Sequence, residues 1–169
     1  EKIIGDFSSR KDFMINTKIS CSNELSLSEL VDISLSRLKV NSIDGVYIHD
    51  TQNLSLFENL KRQIDELKRD NIVKEFGISV YDQEEYDSAM QFYDFDMVQV
   101  PVSLFDQRLI KNGFIERMRH ENKKIHARSI FLQGLLLERI SLIPNKFHQS
   151  IDEFKRFEEF VELQKISKL

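Results

Sequence analysis

Residues able to do chemistry close five short apolar runs: Lys18, His49 with Asp50, Ser79, Gln99, and Arg128 with Ser129. A lysine in a desolvated pocket loses its proton more easily, and the neutral amine can condense with a carbonyl as a Schiff base. An imidazole titrates near neutral pH and can orient or move a proton. A hydroxyl and a carboxamide can hold the polar groups of a ligand, and a planar guanidinium can form paired hydrogen bonds or stack. Taken singly, each has a plainer explanation. A lysine at a strand end is commonly solvated or salt-bridged. A histidine after three apolar residues is commonly a hydrogen-bonded core residue, and the serine, glutamine and arginine read as loop polars. Their shared position at the ends of five runs gives the set its weight.

The elements that must position these residues repeat one unit about five times, a β-branched or aromatic strand followed by an amphipathic helix. Strand starts fall near Phe13, Ile43, Glu75, Phe95 and Lys124, roughly 20 to 32 residues apart. The strands read as FMINTKI (13–19, ending near Lys18), GVYIHD (45–50), EFGISV (75–80), FDMVQV (95–100) and KIHAR (124–128). Pro101, lacking an N–H, is expected to end ladder bonding of the fourth. Ser26 and Glu29 form a capping-box pattern ahead of Leu27, Leu30, Val31, Leu35 and Leu38, and Asp82 with Glu85 forms another ahead of Tyr86, Ala89 and Met90. Further helices run through Phe57, Leu60, Ile64 and Leu67, through Leu109, Ile110, Ile115 and Met118, and, after a loop around Pro144, through Phe154, Phe157, Phe160 and Val161.

Strands alternating with helices imply parallel pairing through crossovers of fixed hand, the pattern of a TIM (β/α)₈ barrel. In that fold reactive groups gather where the C-terminal ends of the strands meet the βα-loops, which is where the five runs end. A closed barrel needs eight units and about 250 residues. The chain is therefore expected to hold five to six consecutive units, as one incomplete domain spanning 1–169 with no Pro/Gly/Ser-rich linker. Its first residues (Ile3, Ile4, Phe7) read as the tail of a helix, without an initial methionine, and its last as the interior of another.

Composition narrows the partners. With 41% hydrophobic and 31% charged residues the chain is an ordinary globular one. A formal net charge of −4 argues against nucleic acid, because phosphate backbones select clustered Lys and Arg. The single cysteine, Cys21, cannot pair internally, and no Cys/His spacing suits zinc, so a reducing compartment is the default. The longest apolar stretch, IFLQGLLL, is too short to span a bilayer.

The order NTKI, SLSRLKVNSIDGVYIHD, IVKEFGISVYD, FDMVQVPVSLFD, HARSIFLQGLLL resembles the aldo-keto reductase family over almost the whole chain. The resemblance implies a barrel that uses a nicotinamide cofactor, usually NADPH, to reduce aldehydes and ketones or to run the reverse oxidation. Carbonyl reduction needs a hydride on carbon and a proton for the developing alkoxide. In the family a tyrosine gives the proton, a lysine ammonium eases its release, and a histidine orients the carbonyl oxygen. Lys18 looks like that lysine and His49 like that histidine.

By the same resemblance Ser79 and Gln99 hold the nicotinamide carboxamide. Arg128 stands where many members stack a tyrosine on the nicotinamide ring. Ser129, Phe131 and Gly134 fall in the loop whose backbone lies along the cofactor pyrophosphate. Val80 replaces a common asparagine. The family's tyrosine and aspartate are expected before residue 1, since Tyr47, Tyr81, Tyr86 and Tyr93 do not occupy their motif, and Tyr47 is expected to point away from the barrel axis. The basic residues that grip an adenosine 2′-phosphate belong to a last strand beyond residue 169, so NADH stays open beside NADPH.

The reading is thus a cytoplasmic NAD(P)H-dependent aldo-keto reductase acting on a small-molecule carbonyl, of which this stretch alone is expected to be inactive. Two alternatives stay open: a non-catalytic relative serving as a cofactor-sensing or interaction module, and a TIM-barrel lyase or aldolase with Lys18 as its Schiff base.

Overall fold

The computed structural model describes residues 1–7, 12–20, 24–57 and 59–168. Cys21 lies outside the described residues. The described residues form five strands, β1 (Asn16–Ile19), β2 (Ile43–Ile48), β3 (Val73–Ser79), β4 (Met97–Pro101) and β5 (Lys124–Arg128). They form one sheet in chain order, and every pair is parallel. That arc of consecutive βα units is part of a (β/α)₈ barrel.

The helices are α1 (Lys2–Asp6), α2 (Leu27–Leu38), α3 (Leu60–Arg69), α4 (Gln83–Met90), α5 (Arg108–Lys111), α6 (Phe114–His120) and α7 (Ile151–Leu163). Two-residue alternation sorts each strand into two faces. Val46, Ile48, Phe76, Ile78, Val98 and Val100 pack on Val31, Leu38, Ile64, Leu67, Ala89 and Met118 of the helices, and this is the main core. The residues between them, such as Lys18, Tyr47 and Gln99, project from the concave face.

Local chemistry explains most element ends. Ser26 and Glu29 close a full capping box at α2, each side chain meeting the other's backbone N–H. At α4 only half of the expected box forms: Asp82 accepts from the Glu85 N–H, but the Glu85 carboxylate reaches the N–H of Tyr81 at 2.7 Å. The helix expected through Leu109 to Met118 is two helices, because Gly113 at φ +80 breaks the turn between α5 and α6.

Other strand and helix limits also differ from expectation. β1 starts at Asn16, not Phe13. The N–H of Ile15 is taken by the Asp44 carboxylate at 2.8 Å, and Phe13 and Met14 stay exposed. β4 runs through Pro101, which pairs with Arg128, and the Val102 N–H bonds Arg128 O at 3.1 Å. Gln99 O accepts from Val80 N on the β3 side. The missing proline N–H thus faces β3 where that strand has ended, and the β5 ladder is untouched. α7 ends at Leu163, with Lys165 left-handed, short of the last residues where a helix was expected to continue.

Between β5 and α7 the chain turns through short 3₁₀ segments, Leu132–Leu137, Ile140–Leu142 and Asn145–Ser150. Leu136, Ile143 and Phe154 make a second, smaller core there, joined by Phe105 edge-on to Phe154 at 5.0 Å. Among the described residues no helix is long and apolar enough to cross a membrane.

Candidate active site

β1 carries Lys18 toward the middle of the sheet. Its Nζ donates to Gln99 Oε1 on β4 at 2.6 Å, across the two strands between, and Ser79 Oγ on β3 lies 3.4 Å from the same oxygen. Ser79 and Gln99 are direct register partners, which is why two short side chains can meet. Burial, and after it the positive charge of Arg128, holds the Lys18 ammonium below the usual lysine range. Arg128 closes β5 with its guanidinium carbon 4.1 Å from the centre of the Tyr81 ring. Its Nε is buried without a hydrogen-bond partner.

His49 forms no hydrogen bond with this group among the described residues and does not line the cavity that holds Lys18 and Gln99. It follows β2 directly, its N–H bonding Ile19 O at 2.8 Å, so Lys18 and His49 do belong to neighbouring parallel strands. The imidazole is 49% exposed, with Nδ1 3.6 Å from Asp50 Oδ1. Ser129, at φ 61, opens the turn after β5 and its carbonyl accepts from Leu132 N. Phe131 is partly exposed there, and the Gly134 N–H bonds Phe131 O at 3.0 Å within the turn. Val80 is fully buried on the helix side of the sheet, so no carboxamide stands beside Ser79 at that position.

Tyr47 corrects the expectation that it points away from the axis. It is the register partner of Lys18, and its hydroxyl lies 2.6 Å from Nδ1 of His126 on β5. Residues two apart share a face, so Tyr47 shares that of His49. The ring fits because Gly77 lies beneath it: a Cβ there would stand 2.6 Å from Tyr47 Cε1. Burial pushes the Tyr47 hydroxyl far above the ordinary tyrosine range, with Glu75 adding to it. Lys18, Tyr47, Gln99 and His126 share one cavity of about 830 Å³, bordered by Arg37 of α2 and Glu1.

Tyr47 and His126 were missed as site residues. The signal for His126 was its alternation with Lys124 and Arg128 in KIHAR, which puts all three on one face.

The polar groups fit a nicotinamide carboxamide. Gln99 spends its oxygen on Lys18 and Ser79, which leaves its NH₂ to donate and the serine oxygen to accept. A primary carboxamide offers the complementary carbonyl and NH₂.

The model of the aldo/keto reductase family matches residues 1–169, and the chain belongs to that family. Solved structures share the fold. An aldo-keto reductase from Bacillus halodurans, in its holo form, superposes with a TM-score of 0.70 at 19% identity, over 85% of this chain and 52% of its own. One from Klebsiella pneumoniae, in complex with NADP and acetate, gives 0.70 at 13% identity over 98% and 57%. The glycerol dehydrogenase of Gluconobacter oxydans gives 0.62 at 23% identity over 83% and 48%. The chain thus spans about half the length of these structures. No curated protein matches it.

Proposed function

We propose that residues 1–169 form one unit that supplies the cofactor side of an NAD(P)H-dependent carbonyl reductase site in a reducing cytoplasm. The observation that carries this is the Lys18–Gln99–Ser79 bridge at the C-terminal edge of the sheet, in a chain of the aldo/keto reductase family. Ser79 and Gln99 would hold the carboxamide, Arg128 would lie against the ring, and the turn bearing Ser129, Phe131 and Gly134 would follow the pyrophosphate. A reduced nicotinamide, when bound, would supply hydride. Lys18 would set a positive charge beside the proton donor, and His49, on the exposed rim, would orient a carbonyl oxygen. NADPH is the expected cofactor, since complexes with NADP and NADPH occur among the similar structures.

Titrating residues 1–169 with NADPH, followed by cofactor fluorescence, tests this. Binding should be measurable and should weaken roughly tenfold in Gln99→Ala, the worth of a charge-free hydrogen-bonded contact. Without a proton donor from other residues, aldehyde-dependent NADPH oxidation should be down by about 10²–10⁴. Brisk turnover by the chain alone would overturn the division of roles, and binding insensitive to Gln99→Ala would overturn the site.

The lowered proton affinity of Lys18 favours a second reading, in which its neutral amine attacks a carbonyl and forms a Schiff base with loss of water. Borohydride trapping with an aldehyde decides it: mass gained at Lys18 supports that chemistry, and an unmodified Lys18 removes it.

A further inference from the structure

Resting on the cofactor reading above, we propose that Tyr81 is a positioning residue whose ring backs the Arg128 guanidinium and holds it flat against the nicotinamide. An arginine is a poor platform unaided, because its long stem rotates about several bonds where a tyrosine has two. Here the guanidinium carbon stands 4.1 Å from the Tyr81 ring centre, within the range of a cation–π contact that would restrain it. The ring then restrains the guanidinium from one side, and the nicotinamide would meet it from the other.

Three observations show that this arrangement is held rather than incidental. Arg128 Nε is buried with no hydrogen-bond partner, a cost that a free guanidinium would shed by turning toward water. The positive charge of Arg128 is felt at Lys18, a repulsion that an unheld guanidinium would relax by moving away. No carboxylate forms an ion pair with Arg128 among the described residues, so the ring is its support.

The ring itself is placed by the start of α4. The Glu85 carboxylate takes the Tyr81 N–H at 2.7 Å, and Asp82 caps the helix through the Glu85 N–H at 2.9 Å. Tyr81 is 55% exposed and lies outside the main core, so its loss leaves the packing of the sheet alone.

The test compares Tyr81→Phe, Tyr81→Leu and Arg128→Ala in residues 1–169, with two readouts. In the cofactor-free protein, the ring current should shift the Arg128 Nε–H resonance upfield in the wild type and in Tyr81→Phe, and that shift should vanish in Tyr81→Leu. In NADPH titrations Tyr81→Leu should weaken binding about fivefold, the worth of a cation–π contact, while Tyr81→Phe stays within about twofold of wild type. Arg128→Ala should weaken it at least as much as Tyr81→Leu. If Arg128→Ala weakens binding and Tyr81→Leu does not, or if the resonance is unshifted, the positioning role is wrong. If Arg128→Ala has no effect, or the wild-type chain does not bind NADPH, the cofactor reading falls and takes the inference with it.

Discussion

Lys18 is a charge that its surroundings do not welcome. Burial comes first and Arg128 second in pulling its proton affinity down, and its nearest partner is a neutral carboxamide oxygen. The folded state therefore binds this proton less tightly than the unfolded chain, so stability rises with pH between the folded and the ordinary lysine value. Below both values the penalty is present in full. Replacing the ammonium by an apolar side chain of similar length, Lys18→Met, should raise stability at pH 7 by up to about 1 kcal/mol, an amount limited by solvent screening at this partly exposed site. The gain should shrink as pH approaches 10. Urea denaturation at pH 7 and pH 10 measures it, and a variant less stable at pH 7 would show that the Gln99 bond outweighs the burial cost. At this scale the sequence was informative about position and silent about environment. That Lys18 closes a strand could be read from NTKI, but its reach across β2 and β3 to Gln99 depends on how the sheet curves.

Among the elements, β2 and β3 show what strand alternation carries and where it is easily misapplied. The apolar runs identified every strand, and Ser26 with Glu29 identified the start of α2, because both signals are local. Tyr47 lies inside, against expectation, as parity with His49 and pairing with Lys18 both require. The chain offered a further hint in Gly77, opposite Tyr47, where a side chain would collide. Gly77→Ala tests this fit directly. The added methyl would meet Tyr47 Cε1 at 2.6 Å and Met97 Cβ at 2.9 Å, and should cost about 1–3 kcal/mol of stability. Adding Tyr47→Leu should return part of that, leaving the Met97 clash. Thermal melts of the single and double variants read both steps, and no recovery would mean that Met97 alone sets the limit. The 3₁₀ turns after Phe131 had no periodic signal at all. Left-handed Ser129, Leu132 and Gln133 are held there by turn hydrogen bonds and by the small cluster around Phe154, which no window of residues encodes.

For the molecule as a whole, the informative fact is that strand order equals chain order. β2, β3 and β4 each have two hydrogen-bonded neighbours, while β1 and β5 have one. Amide exchange, averaged by strand, should be slowest in β2 to β4 and fastest in β1, whose entry residues Phe13 and Met14 are exposed. Exchange equal across all strands would point to one all-or-none opening.

The same order determines how the fold tolerates injury. Each βα unit leans on the units beside it in the chain, and the turns around Ile140–Leu142 and Pro144 serve the smaller core around Phe154. A cut in those turns would therefore loosen α7 and Phe105 while β1 to β4 keep their register. Damage should travel along the chain one unit at a time, as it does in a stack of repeats.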